Sequence, residues 1–264
     1  MIGLSDLKTG LGGSFAMSTQ ITLFYWLKTT TTYQYKTGIS TSDAFKYLYN
    51  TGGFRRFYNG CIPSLIMGTS CRFGDVISYK YLEKQNHLSQ IQKSSLASLS
   101  SMVWRINLMP LDTLDHMLQA HGKKGIHIIK DKVKNQGPSV LYYGGLAWSV
   151  TNFVGYIGWF YTYSLMEKYN SNNKIDPNIY SVIEGFTCTS ISDIITNPIR
   201  VLKTYRQTSP DQITYYQTYK KIVNEFGLSS LLLRGLKTRI IMHGIQNSLF
   251  VILWKKFDSY IEDK

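Results

Sequence analysis

Charged side chains follow two prolines of the chain at one fixed spacing. The segment MPLDTLDHMLQ (109–119) has acids two and five residues after its proline, at Asp112 and Asp115. The segment NPIRVLKTYRQ (197–207) has bases at the same two places, Arg200 and Lys203. Because no nucleophile with a neighbouring base is arranged around them, these residues favour ion pairing between helix ends over catalysis.

Other residue types that support catalysis or metal binding lack the necessary arrangement. Cys61, Cys71 and Cys188 are odd in number and have no metal-ligand spacing, so they predict neither a metal site nor a disulfide framework. The sequence contains no glycine-rich phosphate-binding loop. We therefore expect no enzyme activity, no cofactor and no metal.

The overall charge balance indicates an anionic partner. The 264 residues include 29 Lys and Arg against 16 Asp and Glu, a formal net charge of +13. Such an excess suits nucleic acid, anionic lipid or an anionic solute. The bases are dispersed among apolar segments rather than clustered on one face, which disfavours nucleic acid. Charged residues are only 17% of the chain and aromatic residues reach 14%, which suits a surface that mostly faces lipid.

Long uncharged segments predict membrane-spanning helices. Residues 137–166 contain no formal charge, residues 11–27 form a second uncharged run, and residues 240–254 form a third, in which His243 is the one titratable side chain. About 18 or more such residues are enough to cross a bilayer as a helix. Three other apolar segments contain charges, namely Arg72 with Asp75, Arg105, and Glu184 with Asp193. We expect an all-α membrane protein with six transmembrane helices; six helices of a soluble all-α protein are the alternative.

The chain contains an internal repeat. Pro110 and Pro198 are 88 residues apart, and counting 87 residues back from Pro110 gives Leu23, in the segment TLFYWLKTTTT. Each copy continues with a short basic amphipathic stretch and then a glycine that opens a new apolar segment: Gly60, Gly144 and Gly235. A period of this length predicts a threefold duplication of a two-helix unit. The expected repeats are 1–87, 88–176 and 177–264, within one integrated transmembrane domain.

These motifs resemble those of the mitochondrial carrier family. Its signature, Pro-x-[Asp/Glu]-x-x-[Lys/Arg] at the end of each odd-numbered helix, is similar to PLDTLD, PIRVLK and the eroded LFYWLK. The resemblance is to a divergent member. It implies six tilted helices in a pseudo-threefold barrel, with short amphipathic helices on the matrix side. It also implies a location in the mitochondrial inner membrane and transport by alternating access through one central site.

The resemblance further implies a matrix-side gate, in which the acid of one repeat pairs with the base of the next. Mapped by position, the acid sites are Tyr25, Asp112 and Arg200, and the base sites are Lys28, Asp115 and Lys203. Only the Asp112–Lys203 pair keeps the expected charges. Arg200 would face Lys28, and Asp115 would face Tyr25. A rearranged pair of Asp115 with Arg200 or Lys28, or an acid–tyrosine hydrogen bond, therefore stays open.

A second gate is implied at the opposite, cytoplasmic mouth, at the ends of the even-numbered helices. Its charged positions are Lys80, Glu83, Glu167, Lys255 and Asp258. The order of charges is reversed in the first and third repeats, but Lys80 with Glu167 and Lys255 with Glu83 would still be opposite pairs. Half-exposed ion pairs contribute about 1 kcal/mol or less each, so such a gate opens readily. Surface charges that form no gate are the alternative.

Charges inside apolar helices are candidates for a solute site, because each costs about 3 kcal/mol at a helix centre. Arg105 and Asp193 lie five residues before Pro110 and Pro198, and Ser18 is the matching residue of the first repeat. Arg105 would anchor an anionic group, with Asp193 as its partner or as an amine ligand. A purely structural Arg–Asp pair is the alternative. Arg72 and Asp75, three residues apart on one helix, would pair with each other.

The family's contact points on the even-numbered helices fall seven to eight residues after the glycine. The matching residues are Met67, Thr151, Asn152, Met242 and His243. Thr151 and Asn152 offer hydrogen bonds and the methionines an adaptable apolar contact. His243 titrates near neutral pH or is simply hydrogen-bonded. Arg239 matches another family position and would serve packing or the cavity potential.

These expectations define a transporter with few partners. We expect a monomeric solute carrier for an anionic or zwitterionic metabolite, in contact with the lipid bilayer and with cardiolipin. An even number of spans places both termini on the same side of the membrane, and the resemblance implies that this side faces the intermembrane space. The alternative is a degenerate relative that acts as a membrane adaptor or insertion factor without transport, which the eroded first signature favours.

Overall fold

The computed structural model describes residues 4–85, 87, 89–170 and 177–246, and these residues form helices and no strands. The predicted all-α class is thereby confirmed for the described part of the chain. The α-helices are α1 (Leu4–Thr37), α2 (Thr41–Phe57), α3 (Cys61–Glu83), α4 (Gln90–Asn107), α5 (Met109–His121), α6 (Lys124–Gln136), α7 (Gly145–Asn170), α8 (Pro177–Thr208) and α9 (Tyr215–Leu233). A 3-10 helix follows α6 (Pro138–Tyr142), and residues 236–246 form a further helical segment, here α10.

One local pattern occurs three times along the chain. A short helix is interrupted or ended by a glycine, and a brief helical segment leads to the next long helix. The three glycines are Gly53 (φ 60°, ψ −155°), Gly137 (φ 80°, ψ 170°) and Gly227 (φ 81°, ψ 166°). This backbone region is essentially restricted to glycine. The conformation explains why each basic stretch in the sequence ends at a glycine.

The two prolines of the repeated motif have different effects on their helices. Pro110 lies in the first turn of α5, where a missing backbone N–H is tolerated, and α4 has already ended at Asn107. Pro198 lies inside α8, which continues through it. The corresponding part of α1 has no proline and is one continuous helix. The three equivalent segments therefore differ. In the first repeat the helix is continuous and has no proline, in the second it is broken before Pro110, and in the third it continues through Pro198.

The chain forms two compact units. Unit 1 comprises Met1–Tyr25 and Tyr58–Gly145. In it, α3 packs against α4 and α5, and α5 packs against α6. The Trp104 indole donates to the Ser70 carbonyl at 2.9 Å and the Ser14 hydroxyl to the Thr69 carbonyl at 3.2 Å, which ties the first half of α1 and α4 to α3.

Unit 2 comprises Trp26–Phe57 and Leu146–Lys264. One apolar cluster joins the end of α1 to α2 through Tyr33, Ala44, Leu48 and Phe57. A second cluster joins α1 to α8 and α9 through Tyr35, Val201, Ile222 and Leu231. The second half of α1 is thus the centre around which α2, α8 and α9 pack.

Large apolar side chains are exposed on several helices of the described chain. Aromatic and aliphatic side chains of α7 point outward, among them Phe153, Tyr156 and Tyr161. Within the described ranges, no helix combines the length and the apolar composition needed to cross a membrane.

Candidate functional site

An acid, an arginine and a histidine meet inside unit 2. Asp193, in the middle of α8, accepts a hydrogen bond through Oδ1 from the Nε of Arg239 at 2.8 Å. Its other oxygen, Oδ2, lies 2.6 Å from the Nδ1 of His243. Arg239 and His243 are four residues apart on α10 and so lie on the same helix face. We call Asp193, Arg239 and His243 the Asp193 cluster.

Further polar groups surround the Asp193 cluster. Arg200 donates from Nε to the Thr196 hydroxyl at 3.2 Å and is close enough to Asp193 and Arg239 to interact electrostatically with both. The Tyr35 hydroxyl donates to Asn197 Oδ1 at 3.0 Å. Two guanidinium groups therefore share one carboxylate, which gives this region of unit 2 a positive charge balance.

Unit 1 contains a separate Arg–Asp pair. The Nη2 of Arg105, on α4, lies 2.6 Å from the Oδ2 of Asp75 on α3. The sequence had suggested Asp193 as the partner of Arg105 and Arg72 as that of Asp75. Asp75 instead pairs with Arg105 rather than with Arg72, because the face of α4 that carries Arg105 packs on α3. Each arginine of the predicted solute site is thus held by a carboxylate of its own unit.

Several predicted contact residues bond to their own helix. The hydroxyls of Ser18 and Thr151 donate to the carbonyls four residues earlier, at 2.9 Å and 2.6 Å. The Asn152 side chain does the same to Trp148 at 2.7 Å. Local bonds of this kind satisfy a donor that would otherwise need a partner in an apolar setting. Met242 is buried and Met67 half-buried.

The repeated motif forms a buried hydrogen-bonded group in unit 1. The Tyr25 hydroxyl donates to Asp115 Oδ1, and the Gln119 amide donates to the same carboxylate oxygen at 2.6 Å and to Tyr25 at 2.9 Å. Gly60 lies against the group, because a Cβ at that position would come within 2.6 Å of the Tyr25 hydroxyl. We call Tyr25, Asp115 and Gln119 the tyrosine–acid group.

Matching contacts correct the register of the first repeat. Thr29 donates to the Phe57 carbonyl at 2.6 Å, and Thr113 donates to the Leu141 carbonyl at 2.7 Å; donors and acceptors are each 84 residues apart. The glycines with positive φ that end α1 and α5, Gly38 and Gly122, have the same separation. The sequence-based count of 87, which aligned Leu23 with Pro110, is therefore three residues too long.

The corrected register reassigns the residues of the first signature. Trp26 is the equivalent of Pro110, Lys28 of Asp112, and Thr31 of Asp115. Ile21, not Ser18, then corresponds to Arg105. The first repeat lacks the signature proline, so the sequence-based alignment relied on Lys28, its one signature charge. Placing Lys28 at the base site, like Lys203, gave the wrong register.

Two regions of the chain match one known protein family. Residues 5–90 and 176–264 match the family described as mitochondrial carrier protein. The chain belongs to the mitochondrial carrier protein family. The resemblance inferred from its signatures is thereby confirmed. A search of curated proteins found no match to the chain.

Membership of the mitochondrial carrier family indicates the general function of this protein. Mitochondrial carriers are transporters of small solutes rather than enzymes, and they are multi-pass proteins of the mitochondrial inner membrane. In the part of the chain that the structure describes, no three His, Cys, Asp or Glu residues are grouped as a metal site would require.

The carrier's predicted gate residues are distributed over both units. Asp112 belongs to unit 1, and Lys28, Arg200 and Lys203 belong to unit 2. Asp112 and Lys203 are both buried. At the other mouth, Lys80 Nζ lies 3.2 Å from Glu83 Oε2, one turn along the same helix. The side chain of Glu167 and all of Lys255 and Asp258 lie outside the described residues.

Unit 2 also contains an open cavity of about 1350 Å³ between the α1–α2 turn and the α9–α10 turn. Basic, hydroxyl and aromatic side chains line it, including Lys46, Lys237, Ser229 and Phe226. At its edge, Arg234 donates to the Tyr35 carbonyl at 3.1 Å and lies 4.6 Å from the centre of the Phe226 ring. Burial lowers the pKa of Arg234, whereas Tyr205 and Glu225 act in the opposite direction.

The polar residues that join the helices around this cavity were not predicted from the sequence. The Asn197 amide donates to the carbonyls of Leu232 and Arg234 at 2.9 Å and 3.1 Å, which satisfies acceptors at the end of α9. Gln34 accepts from Thr238 at 2.7 Å, and Thr41 lies 2.8 Å from Thr238. The only available signal was a polar residue directly before Pro198 and an unusual run of threonines after Lys28.

Proposed function

We propose that this protein is a solute carrier that moves an anionic or zwitterionic metabolite across the inner membrane by alternating access through a central basic cavity. The observation that carries the proposal is the Asp193 cluster with Arg200. Charged groups within a membrane-spanning segment are costly and mark candidate solute pathways, which is why this buried carboxylate with its arginines and histidine supports the proposal. The Arg105–Asp75 pair of unit 1 is a similar arrangement on other helices.

The proposed architecture is six transmembrane helices in a pseudo-threefold barrel built from repeats 1–87, 88–176 and 177–264. In it, α2, α6 and α9 are the short helices of the matrix side. The outward-facing apolar side chains of α7 support this arrangement, because a soluble monomer rarely exposes so many. Both termini would face the intermembrane space, and the carrier would act as a monomer.

The substrate-binding residues we propose are Arg105, Asp193, Arg239 and His243, with Met67, Thr151, Asn152 and Met242 as further wall residues. Ser18 is the weakest member of the set, since the 84-residue register gives its place to Ile21. A net positive lining would attract an anionic solute, and Asp193 would accept the amine of a zwitterion.

For the matrix gate, the corrected register changes the proposed pairs. The family's rule, applied to the acid sites Lys28, Asp112 and Arg200, matches Lys28 with Asp115 and Asp112 with Lys203. Both matches combine opposite charges, one of them in reversed order, while Arg200 is matched with the uncharged Thr31. The cytoplasmic gate would use Lys80, Glu83, Glu167, Lys255 and Asp258.

We also propose that the cavity edged by Arg234 holds the headgroup of an anionic membrane lipid such as cardiolipin. Lys46 and Lys237 would supply further positive charge, and Phe226 and Ile241 an apolar wall for an acyl chain.

Transport in reconstituted vesicles tests the function. The purified carrier would first be screened against a metabolite panel by thermal shift, and the stabilising compounds would then be loaded into proteoliposomes for exchange with a labelled copy outside. We expect uptake of one chemical class and its loss in R105A, with R72A as the matched control because Arg72 is exposed. Normal uptake by R105A would remove Arg105 from the site. No stabilisation and no exchange across the panel would instead favour the adaptor alternative.

A further inference from the structure

We infer that the outer face of α6 is a docking surface for an acidic helical segment of another protein. Its basic side chains follow one another at spacings of four, three and four residues: Lys123, which directly precedes α6, His127, Lys130 and Lys134. This spacing places them along one face of a helix, and all four are exposed. We call these four residues the α6 basic stripe. The inference goes beyond transport and does not depend on the Asp193 cluster.

The rest of unit 1 holds α6 firmly behind the stripe. α6 packs on α5 and on the 3-10 helix that follows it. The two α-helices approach so closely at Gly125 that a Cβ there would come within 2.6 Å of the Met117 carbonyl oxygen. Lys132, on the side of α6 opposite the stripe, is buried. The stripe therefore has a fixed geometry, and a partner does not have to order this helix when it binds.

The charges of the stripe are not compensated inside unit 1. Among the residues that the structure describes, none of the four takes part in an ion pair. Asp131, at the flank of the stripe, is the one acid in the sequence of α6. At 1.5 Å per residue the stripe is about 16 Å long. Its complement is a second helix with carboxylates at the same spacing, since complementary charges across an interface select the partner and its register.

The short helices α2 and α9 differ from α6 in a way that separates its outer face from a lipid surface. Each of those two exposes three aromatic side chains, namely Phe45, Tyr47 and Tyr49, and Tyr216, Tyr219 and Phe226. Such side chains suit the interface between membrane and water. The sequence of α6 contains no phenylalanine, tyrosine or tryptophan, and Ile126 is its one exposed large apolar side chain. A helix binds a bilayer surface through apolar area together with charge, so the stripe suits a partner in water better.

Two other occupants fit the stripe less well than an acidic helix. A nucleic acid would find no aromatic side chain of α6 on which a base could stack, and Asp131 would repel its phosphates. A second copy of this chain would bring the same basic stripe and a net charge of +13, so the two faces would repel each other. An acidic helix supplies carboxylates to the lysines, and a single base within it can pair with Asp131.

A designed peptide measures the docking. The probe is a fluorescein-labelled, alanine-rich helix of about 20 residues, long enough to be helical in water, with four glutamates at the spacing of the stripe. A second peptide has glutamines in their place. Fluorescence anisotropy with the full-length carrier in a neutral detergent gives both affinities. We expect only the glutamate peptide to bind, and an increase in salt from about 0.05 M to about 0.3 M to weaken its binding, because salt screens exposed charges.

The variant K130Q/K134Q removes two charges of the stripe. Its affinity for the glutamate peptide should be weaker by about three- to twentyfold, since one exposed ion pair changes an affinity by up to about fivefold. The matched control is K220Q/K221Q, which removes two exposed lysines of α9 and should bind the peptide like the wild type. Metabolite uptake by K130Q/K134Q should equal that of the wild type. If this variant does not fold, protection of Lys130 and Lys134 from a water-soluble acetylating reagent by the glutamate peptide, in the wild-type carrier, decides the question.

Other outcomes would overturn the inference. An absence of binding at low salt would remove the docking surface, and equal weakening in K220Q/K221Q would show an effect of net charge alone. Tighter binding of a short DNA duplex than of the peptide would make the stripe a nucleic-acid site. If acetylation of Lys130 and Lys134 without peptide is weaker in cardiolipin-containing nanodiscs than in phosphatidylcholine nanodiscs, the stripe lies on lipid. Metabolite exchange in proteoliposomes tests the carrier function separately, so either conclusion can fail without the other.

Discussion

At the scale of single residues, this carrier satisfies a buried acid of its second signature with two neutral donors. Tyr25 and Gln119 both donate to one oxygen of the buried Asp115. A buried carboxylate needs such donors, because each unsatisfied polar group in the interior costs about 1–3 kcal/mol. The phenol hydroxyl therefore contributes to stability as well as to any gating.

The variant Y25F tests this contribution. Removing the hydroxyl leaves Asp115 with one donor fewer and deprives Gln119 of an acceptor, so we expect a loss of about 1–3 kcal/mol in stability. Thermal unfolding of the purified protein in detergent measures it as a Tm lower by several degrees. The control is Y142F, because Tyr142 is exposed. Equal Tm values for the two variants would contradict a stabilising role for the tyrosine–acid group.

The environment of Lys36 predicts that the stability of the protein depends on pH. It lies in the last turn of α1, nine residues and about 14 Å beyond the uncharged run 11–27, and so outside the proposed span. Burial, with Arg56 as a smaller cause, lowers the pKa of Lys36 to about 8. In the unfolded chain the amine keeps its ordinary pKa near 10.4, so the unfolded state binds more protons between pH 8 and about 10.4. The contribution of Lys36 to the free energy of unfolding therefore increases with pH across that window.

The variant K36M should remove that rise. Below pH 8 the amine is charged in both states and its burial is unfavourable, so K36M should be more stable than the wild type at pH 7. The advantage should shrink as pH increases to 10. Tm values at pH 7, 8, 9 and 10 would show it, with K46M as a control at an exposed lysine. A difference between wild type and K36M that stays constant with pH would rule out the shift.

At the scale of elements, glycines define where the short helices stop. Gly53, Gly137 and Gly227 all adopt the backbone region that other residues avoid. The sequence identified the glycines that open the next apolar segments but gave no φ or ψ for those that end the short helices. Their common conformation is a further likeness among the three copies, beyond the signatures.

The variant G137A tests the role of this conformation. A Cβ at Gly137 meets no described atom within 4 Å, so the cost comes from the backbone alone and should be about 1–3 kcal/mol. G145A is the matched control, since Gly145 lies in α7 without a positive φ and its Cβ would make only an ordinary contact with Met109. Denaturant or thermal unfolding compares the two. A loss in G145A as large as that in G137A would argue against backbone strain.

At the scale of the whole molecule, the proposed alternating-access mechanism would depend on charges that pair between repeats. Asp112 and Lys203 are the pair that keeps the family's usual order. Both are buried, so each charge requires compensation, and breaking a buried pair costs about 3–5 kcal/mol. Their pairing stays a prediction from the sequence, because the two residues belong to different compact units.

A charge swap tests the pair. D112K and K203D should each lower stability and uptake, because each creates two like charges, and the double variant D112K/K203D should recover a large part of both. K130D, at an exposed lysine of α6, controls for a general effect of reversed charge. A double variant as impaired as the sum of the two single variants would show that the residues do not pair.

The helical class and the places of the charged motifs could be predicted from the sequence alone, and the signatures indicated the family that the family match confirms. Proline, glycine and charge spacings are local properties, so PLDTLD and PIRVLK predict helix ends without knowledge of neighbours. Tertiary structure decided which groups meet. Asp75 pairs with Arg105, and Asp193 with Arg239 and His243, because contacts between helices depend on how each helix is rotated and packed. Matching contacts also established the 84-residue register; Gly60 and Gly144 already have this spacing in the sequence, but the first signature had lost the proline that would have aligned it.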